Sequence, residues 1–135
     1  MTSLVDRSLV RTTIDGKGEP RFTLLEMIRE HAGERLAETP ALAEAVRAAH
    51  AEHYARLAEE SAPTVAEPDA ELDNIRIAWR YWKDARDAPH LVAMFDRLCS
   101  LLDRRGAYLT IIEIADEIIA VLAADTERAA GVEML

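Results

Sequence analysis

The stretch Phe95-Asp96-Arg97-Leu98-Cys99-Ser100-Leu101-Leu102-Asp103-Arg104-Arg105-Gly106-Ala107-Tyr108 decides the fold. Together with Leu91 and Met94, its apolar residues Phe95, Leu98 and Leu101/Leu102 recur at steps of three and four, which predicts one apolar face on a helix from about His90 to Arg104. Gly106 marks the end of that helix, because glycine accepts the left-handed backbone of a helix terminus. Working upstream, Arg86-Asp87-Ala88-Pro89 separates it from a helix over 70–85, which carries Leu72, Ile75, Ala78, Trp79 and Trp82 on one face. Asp69 is a plausible N-cap for that helix, after a loop bracketed by Pro63 and Pro68. A further helix over 41–61 places Leu42, Val46, Ala49, Tyr54 and Leu57 near one stripe. Downstream, residues 108–123 are apolar on nearly every side, so that helix is expected to be packed between neighbours. Thr126 is expected to start another helical run.

The N-terminal segment reads differently. Residues 8–14 are rich in β-branched side chains and stop at Asp15-Gly16-Lys17-Gly18, a strong turn signal. Residues 21–25 then read as the return strand of a hairpin. A helix from about Glu26 to Glu38 follows, with Leu25, Ile28, Ala32 and Leu36 on one face and Arg29, Glu30, Glu34 and Arg35 mostly on the other. Thr39-Pro40 ends it. The expected fold is therefore mostly α, with a short N-terminal β-hairpin followed by antiparallel helix pairs. The expected division is 1–38 for hairpin plus helix and 39–135 for the helical remainder.

Composition sets limits on function. Of 135 residues, 50% are apolar and 30% charged, the balance of one folded domain rather than a disordered tail. A lone cysteine, Cys99, excludes an intramolecular disulfide and an all-cysteine zinc site. No apolar run reaches the ~20 residues of a membrane span, and Met1 to Asp6 lacks the pattern of a signal peptide, so a cytoplasmic location is expected. The formal net charge is −9. Residues 1–35 hold six basic and six acidic side chains, so the whole excess lies in 36–135. An acidic surface repels phosphate backbones, which makes nucleic acid an unfavoured partner.

Phe95, Leu98, Leu102, Gly106 and Tyr108 are spaced 3, 4, 4 and 2 apart, which resembles the large–large–aromatic–Gly–aromatic positions of a tetratricopeptide repeat. Ala129 and Val132 stand 34 residues beyond Phe95 and Leu98. The repeat is degenerate: Cys99 stands where Gly is usual, Ile111 and Ile118 where Ala is usual, and Ala123 where Pro is usual. More of the chain resembles one recurring stretch of bacterial ATPase-containing transcriptional regulators of the STAND type, LuxR-like and antibiotic-regulator-like proteins among them. The blocks that carry the resemblance are Leu4-Val5-Asp6-Arg7-Ser8-Leu9-Val10, the run Arg21-Phe22-Thr23-Leu24-Leu25-Glu26-Met27-Ile28-Arg29-Glu30-His31-Ala32, His50-Ala51-Glu52-His53-Tyr54, and Glu71-Leu72-Asp73-Asn74-Ile75-Arg76 with Trp79. The Arg105-Gly106-Ala107-Tyr108 turn belongs with them. The resemblance implies that 1–38 is the end of a winged-helix subdomain and that the rest is a helical bridge leading into tetratricopeptide-like sensor repeats. No G-x-x-x-x-G-K-[ST] stands in the chain, and Asp15-Gly16-Lys17-Gly18-Glu19 lacks its spacing, so the family's ATPase motifs carry onto no residue.

Candidate chemistry is sparse. His50 and His53 share a helix face, but His-Ala-Glu-His misplaces the Glu of a zinc-hydrolase helix, so no metal and no cofactor are expected. His31 and His90 read as ordinary surface or helix-end residues. Acid pairs such as Asp116/Glu117 lack the cleft that shifts a catalytic pKa and read as solvated faces. Cys99, in an apolar helix, reads as a buried, inert thiol. Trp79 and Trp82, with Phe95 and Tyr108, read as packing or interaction residues. Arg7, Arg11, Lys17 and Arg21 lie along the hairpin, the place where a wing touches phosphate.

The expectation is thus a non-catalytic interaction and regulatory module of a bacterial signal-responsive transcriptional regulator. Its partner would be another protein or the remainder of a larger regulator, with self-association through apolar surface on Ile112, Ile119, Val132 or Leu135. The alternative is a small winged-helix DNA-binding protein with a helical oligomerisation tail.

Overall fold

The computed structural model describes residues 7, 9–14, 18, 20–60 and 70–132, the side chains of 70 and 129–132 excepted. The expected Pro63–Pro68 loop, the Asp69 cap and Lys17 lie outside the described residues. Two strands, β1 (Val10–Ile14) and β2 (Pro20–Leu24), are followed by five helices: α1 (Glu26–Ala37), α2 (Pro40–Glu60), α3 (Ala70–Ala85), α4 (Ala88–Asp103) and α5 (Tyr108–Val132). The chain is mostly helical with an N-terminal antiparallel hairpin, as its pattern predicts. Contacts divide it into two compact units, 1–46 and 47–135, and the boundary falls inside α2.

In the first unit Val10 pairs with Leu24, Thr12 with Phe22 and Ile14 with Pro20, while Arg11 faces Thr23 and Thr13 faces Arg21. Directly opposed residues share a face of the ribbon. One face is therefore apolar but for Thr12, and the other carries two arginines and two threonines. Gly18, in the turn region, takes a φ of +82°. α1 buries no side chain: Ile28 and Leu36 are half-buried, while Leu25 and Ala32 on the same expected face are exposed. Arg29–Glu26 and Arg35–Glu38 ion pairs at 3.6 and 3.1 Å lie one turn apart on its exposed surface, a contribution of a few tenths of a kcal/mol each at most.

The core belongs to the second unit. α3 carries Leu72, Ile75, Ala78 and Trp79 into it, α4 carries Leu91, Met94, Leu98, Leu101 and Leu102, and α5 carries Ile114, Ile118 and Val121. Turns of two and four residues join α3 to α4 and α4 to α5, and such short connections make neighbours antiparallel. Trp82 near the end of α3 lies against His90 at the start of α4, and Trp79 faces Phe95 one turn further along, which fixes that orientation.

Both turns use one hydrogen-bond pattern. At the end of α4, Ala107 N–H donates to Leu102 C=O and Gly106 N–H to Asp103 C=O, with Gly106 at φ +65°. At the end of α3, Asp87 N–H donates to Trp82 C=O and Arg86 N–H to Lys83 C=O, and here Arg86 sits at φ +55°. These are the paired bonds of a left-handed helix terminus, which glycine adopts without strain and arginine does not. Asp87 then caps α4 by accepting from the His90 amide at 3.2 Å, with proline in the first turn where a missing N–H costs nothing.

Three expectations are corrected. On α2 Ala51 and Ala55 are buried in the core, outside the expected stripe, and of that stripe Tyr54 packs against the core while Leu42 and Val46 are exposed. α5 is not packed all round: Leu109, Ile112, Ile119 and Leu122 are exposed. Nor does a new helix start at Thr126, because α5 runs on through it and the Thr126 hydroxyl donates back to Leu122 C=O at 2.9 Å. A hydroxyl satisfied within the helix caps nothing.

Arg86→Gly is expected to stabilise the protein by about 1 kcal/mol and Gly106→Ala to destabilise it by a similar amount, read as opposite shifts of the urea midpoint. The methyl added at Gly106 would meet only the Tyr108 ring at 3.9 Å, so the cost there is backbone strain rather than space.

Candidate functional site

α3 and α5 run side by side because α4 packs against both, and a groove of about 430 Å³ lies between them. Asp73, Arg76, Arg80 and Lys83 line it from α3, and Thr110, Glu113 and Glu117 from α5, with Ile77, Leu98 and Ile114 as apolar lining. Residues three and four apart share a helix face, so one wall carries three cations beside Asp73 and the other is mostly acidic.

Two contacts bridge the walls of the groove. Trp79, 2% exposed, donates its indole N–H to Glu117 Oε2 at 2.8 Å. Lys83 Nζ donates to Glu117 Oε1, also at 2.8 Å. Partial burial raises the Glu117 carboxyl, but the hydrogen bonds from Lys83 and Trp79 and the Lys83 charge outweigh it and hold it below its ordinary value. An ionised carboxylate with both oxygens engaged positions helices; it is a poor proton donor.

A second polar cluster sits where α2 meets the α3–α4 turn within the second unit. The Trp82 ring stacks on His90 with centroids 3.8 Å apart and planes 5° from parallel. His90 Nδ1 lies 2.8 Å from Asp87 Oδ1, and its Nε2 lies 3.2 Å from Glu52 Oε2. Trp82 N–H donates to Ala51 C=O at 3.2 Å, using the second lone pair of a helical carbonyl. Burial raises the Asp87 carboxyl, yet the bonds from the His90 ring and amide and the His90 charge leave it lowered. His50, one turn before Tyr54, has its pKa lowered chiefly by burial and also by His53, against the raising effect of its Asn74 hydrogen bond.

Trp79 is a core residue at the groove, and Trp82 and Phe95 are half-buried around the same core. Tyr108 is 62% exposed on α5 and lies apart from them. Arg11 and Arg21 stand on one face of the hairpin, Arg7 is exposed, and Lys17 is outside the described residues. Cys99 is half-buried rather than buried, and burial with the nearby Asp96 charge pushes its thiol up, away from the reactive thiolate. Among the described residues no three His, Cys, Asp or Glu side chains gather as a metal cluster, and no helix is long and apolar enough to cross a membrane.

Sequence reasoning missed His90, Glu52, Glu117 and the buried Arg97. Asp87 three residues before His90 was the one local signal, an N-cap pattern. The other partners are brought together by folding alone, as with Trp79 and Glu117, 38 residues apart. The chain matches no family model, no curated protein and no solved structure.

His50, Asp87 and Glu117 all bind protons less readily folded than unfolded. Their contribution is complete at neutral pH and is lost as pH falls, first below the ordinary 6.5 of His50 and then below the ordinary 3.8 and 4.5 of the two carboxyls. Urea midpoints are expected to decline steadily from pH 7.5 to 4. His50→Gln is expected to flatten the part between pH 6.5 and 5.

Proposed function

We propose that this chain is a non-catalytic interaction and regulatory module, a helical bridge from a bacterial signal-responsive transcriptional regulator of the STAND type working in the cytoplasm. The observation that carries the reading is the stack α3–α4–α5: antiparallel helices on short turns, with an apolar outer surface left on α5. Helical-repeat modules are built by adding such hairpins side by side, each burying a face of the last. The tetratricopeptide-like positions fit this packing: Leu98 and Leu102 are buried, Phe95 is half-buried, and Gly106 holds the left-handed turn. The hairpin and α1 take the place of the end of a winged-helix subdomain, ahead of the bridge. The module would act mechanically, relaying a change at one helix to its neighbours through α4.

The second reading, a winged-helix DNA-binding protein, draws on Arg11 and Arg21 sharing one face of the hairpin with Thr13 and Thr23. Fluorescence anisotropy with labelled duplex DNA separates the two. Under the first reading no binding is expected at micromolar protein and low salt, while binding abolished by Arg11→Ala with Arg21→Ala would favour the second. Immunoblotting with intact-mass analysis tests the regulator itself. A native polypeptide several times larger than 15.0 kDa is expected, and a native species of that mass would overturn the assignment.

A further inference from the structure

The groove between α3 and α5 holds charges that the chain itself leaves unanswered. Counting back one turn on each helix from the Lys83–Glu117 pair reaches Arg80 on α3 and Glu113 on α5, and a further turn reaches Arg76 and Thr110. Because α3 and α5 run in the same direction, these residues stand as successive rungs across the groove. Only the Lys83–Glu117 rung is closed. Among the described residues Arg76, Arg80 and Glu113 make no ion pair or hydrogen bond, although all three line the same space of about 430 Å³. Asp73, one turn before Arg76, is likewise unpaired and lines it too.

These free charges sum to zero, with Arg76 and Arg80 set against Asp73 and Glu113. A simple anion would answer the arginines and face two acids, and a simple cation would meet the reverse. A ligand carrying both signs answers both. We propose that the groove is a binding site for a small zwitterion, an α-amino acid with an apolar side chain. Its carboxylate fits between Arg76 and Arg80, which stand four residues apart on one helix face and whose guanidinium donors match carboxylate oxygens. Its ammonium has the Glu113 carboxylate and the Thr110 hydroxyl as acceptors on α5. Its side chain lies on Ile77, Leu98 and Ile114, the apolar part of the lining.

The space suits a ligand of this size, since it stands at the low end of small-molecule sites. The Trp79–Glu117 and Lys83–Glu117 bonds fix the spacing of the two walls, so the site is formed before the ligand arrives. Arg76, Arg80, Asp73 and Glu113 are all exposed, so water and salt screen their pairing and the expected affinity is modest. An occupant would close rungs between α3 and α5 that the chain leaves open. The inference stands on the groove alone and does not depend on the regulator reading.

Isothermal titration calorimetry of the whole chain with L-leucine, L-methionine and L-phenylalanine is the test. The expected result is saturable binding of at least one of them, half-complete at about 1 mM or below. For that amino acid, the analogue without the ammonium and the amide without the carboxylate are each expected to bind roughly tenfold more weakly. Arg76→Gln, Arg80→Gln and Glu113→Gln are each expected to weaken binding by roughly tenfold. Their thermal melts should match that of the parent chain, because these exposed side chains pair with nothing among the described residues. Arg128→Gln, at an exposed ion pair with Asp125 further along α5, should leave binding intact. Amide NMR shifts on adding the ligand should fall on residues 73–83 and 110–117. No binding of any of the three amino acids up to about 10 mM overturns the proposal. An analogue without the ammonium that binds as tightly as its parent overturns it too, by making the groove a plain carboxylate site. Binding indifferent to Arg80→Gln and Glu113→Gln overturns it equally, by placing the ligand elsewhere.

Discussion

The burial of α4 is the constraint on which the second unit depends. Leu91, Met94, Leu98, Leu101 and Leu102 lie along one broad face of the helix, and such a face is stable only when neighbouring helices cover it. The left-handed termini at Arg86 and Gly106 turn α3 and α5 back onto that face. Once both are docked on α4 they lie parallel to one another, and the groove and the Trp79–Glu117–Lys83 tie follow from that arrangement. The same geometry explains why α5 is half apolar core and half apolar surface. It has α4 and α3 on one side and no helix among the described residues on the other.

How much of this could be read from the amino-acid order differs by element. The hairpin was legible because β-branched runs and a glycine-rich turn are local signals, and α3 and α4 because large residues recur at helical steps up to a proline or glycine break. The face of α2 was legible only at Tyr54, which packs against the core. Hydrophobic size picks out Leu42 and Val46, whereas the core selects Ala51 and Ala55, small enough for the helix backbone to approach the Trp82 indole that bonds to Ala51 C=O. The run of α5 past Thr126 was hidden because threonine is a cap residue in one setting and a back-bonded helix residue in another. Arg97, 3% exposed in α4, escaped notice because its charge argues for the surface. Burial and the neighbouring Arg104 charge lower its pKa.

The polar clusters are likewise products of folding rather than of motif. Glu117 reads as one of two adjacent acids on a solvated face, yet it joins α5 to two residues of α3. His90 reads as a helix-end histidine, yet a tryptophan face and two carboxylates surround it, one of them from α2. These contacts hold helices in register. On one side α5 borders the charged groove, whose walls the Lys83–Glu117 ion pair bridges, and on another its Leu109, Ile112, Ile119 and Leu122 are exposed.

The claim that stability resides in the stack around α4 is tested most directly by native-state hydrogen exchange on the whole chain. The account predicts slowest exchange for amides of 91–102 in α4, intermediate protection in α3 and the buried side of α5, and fast exchange in β1, β2 and α1, where little is buried. Uniform protection across residues 10–37 and 91–102, or faster exchange in α4 than in α1, would contradict it.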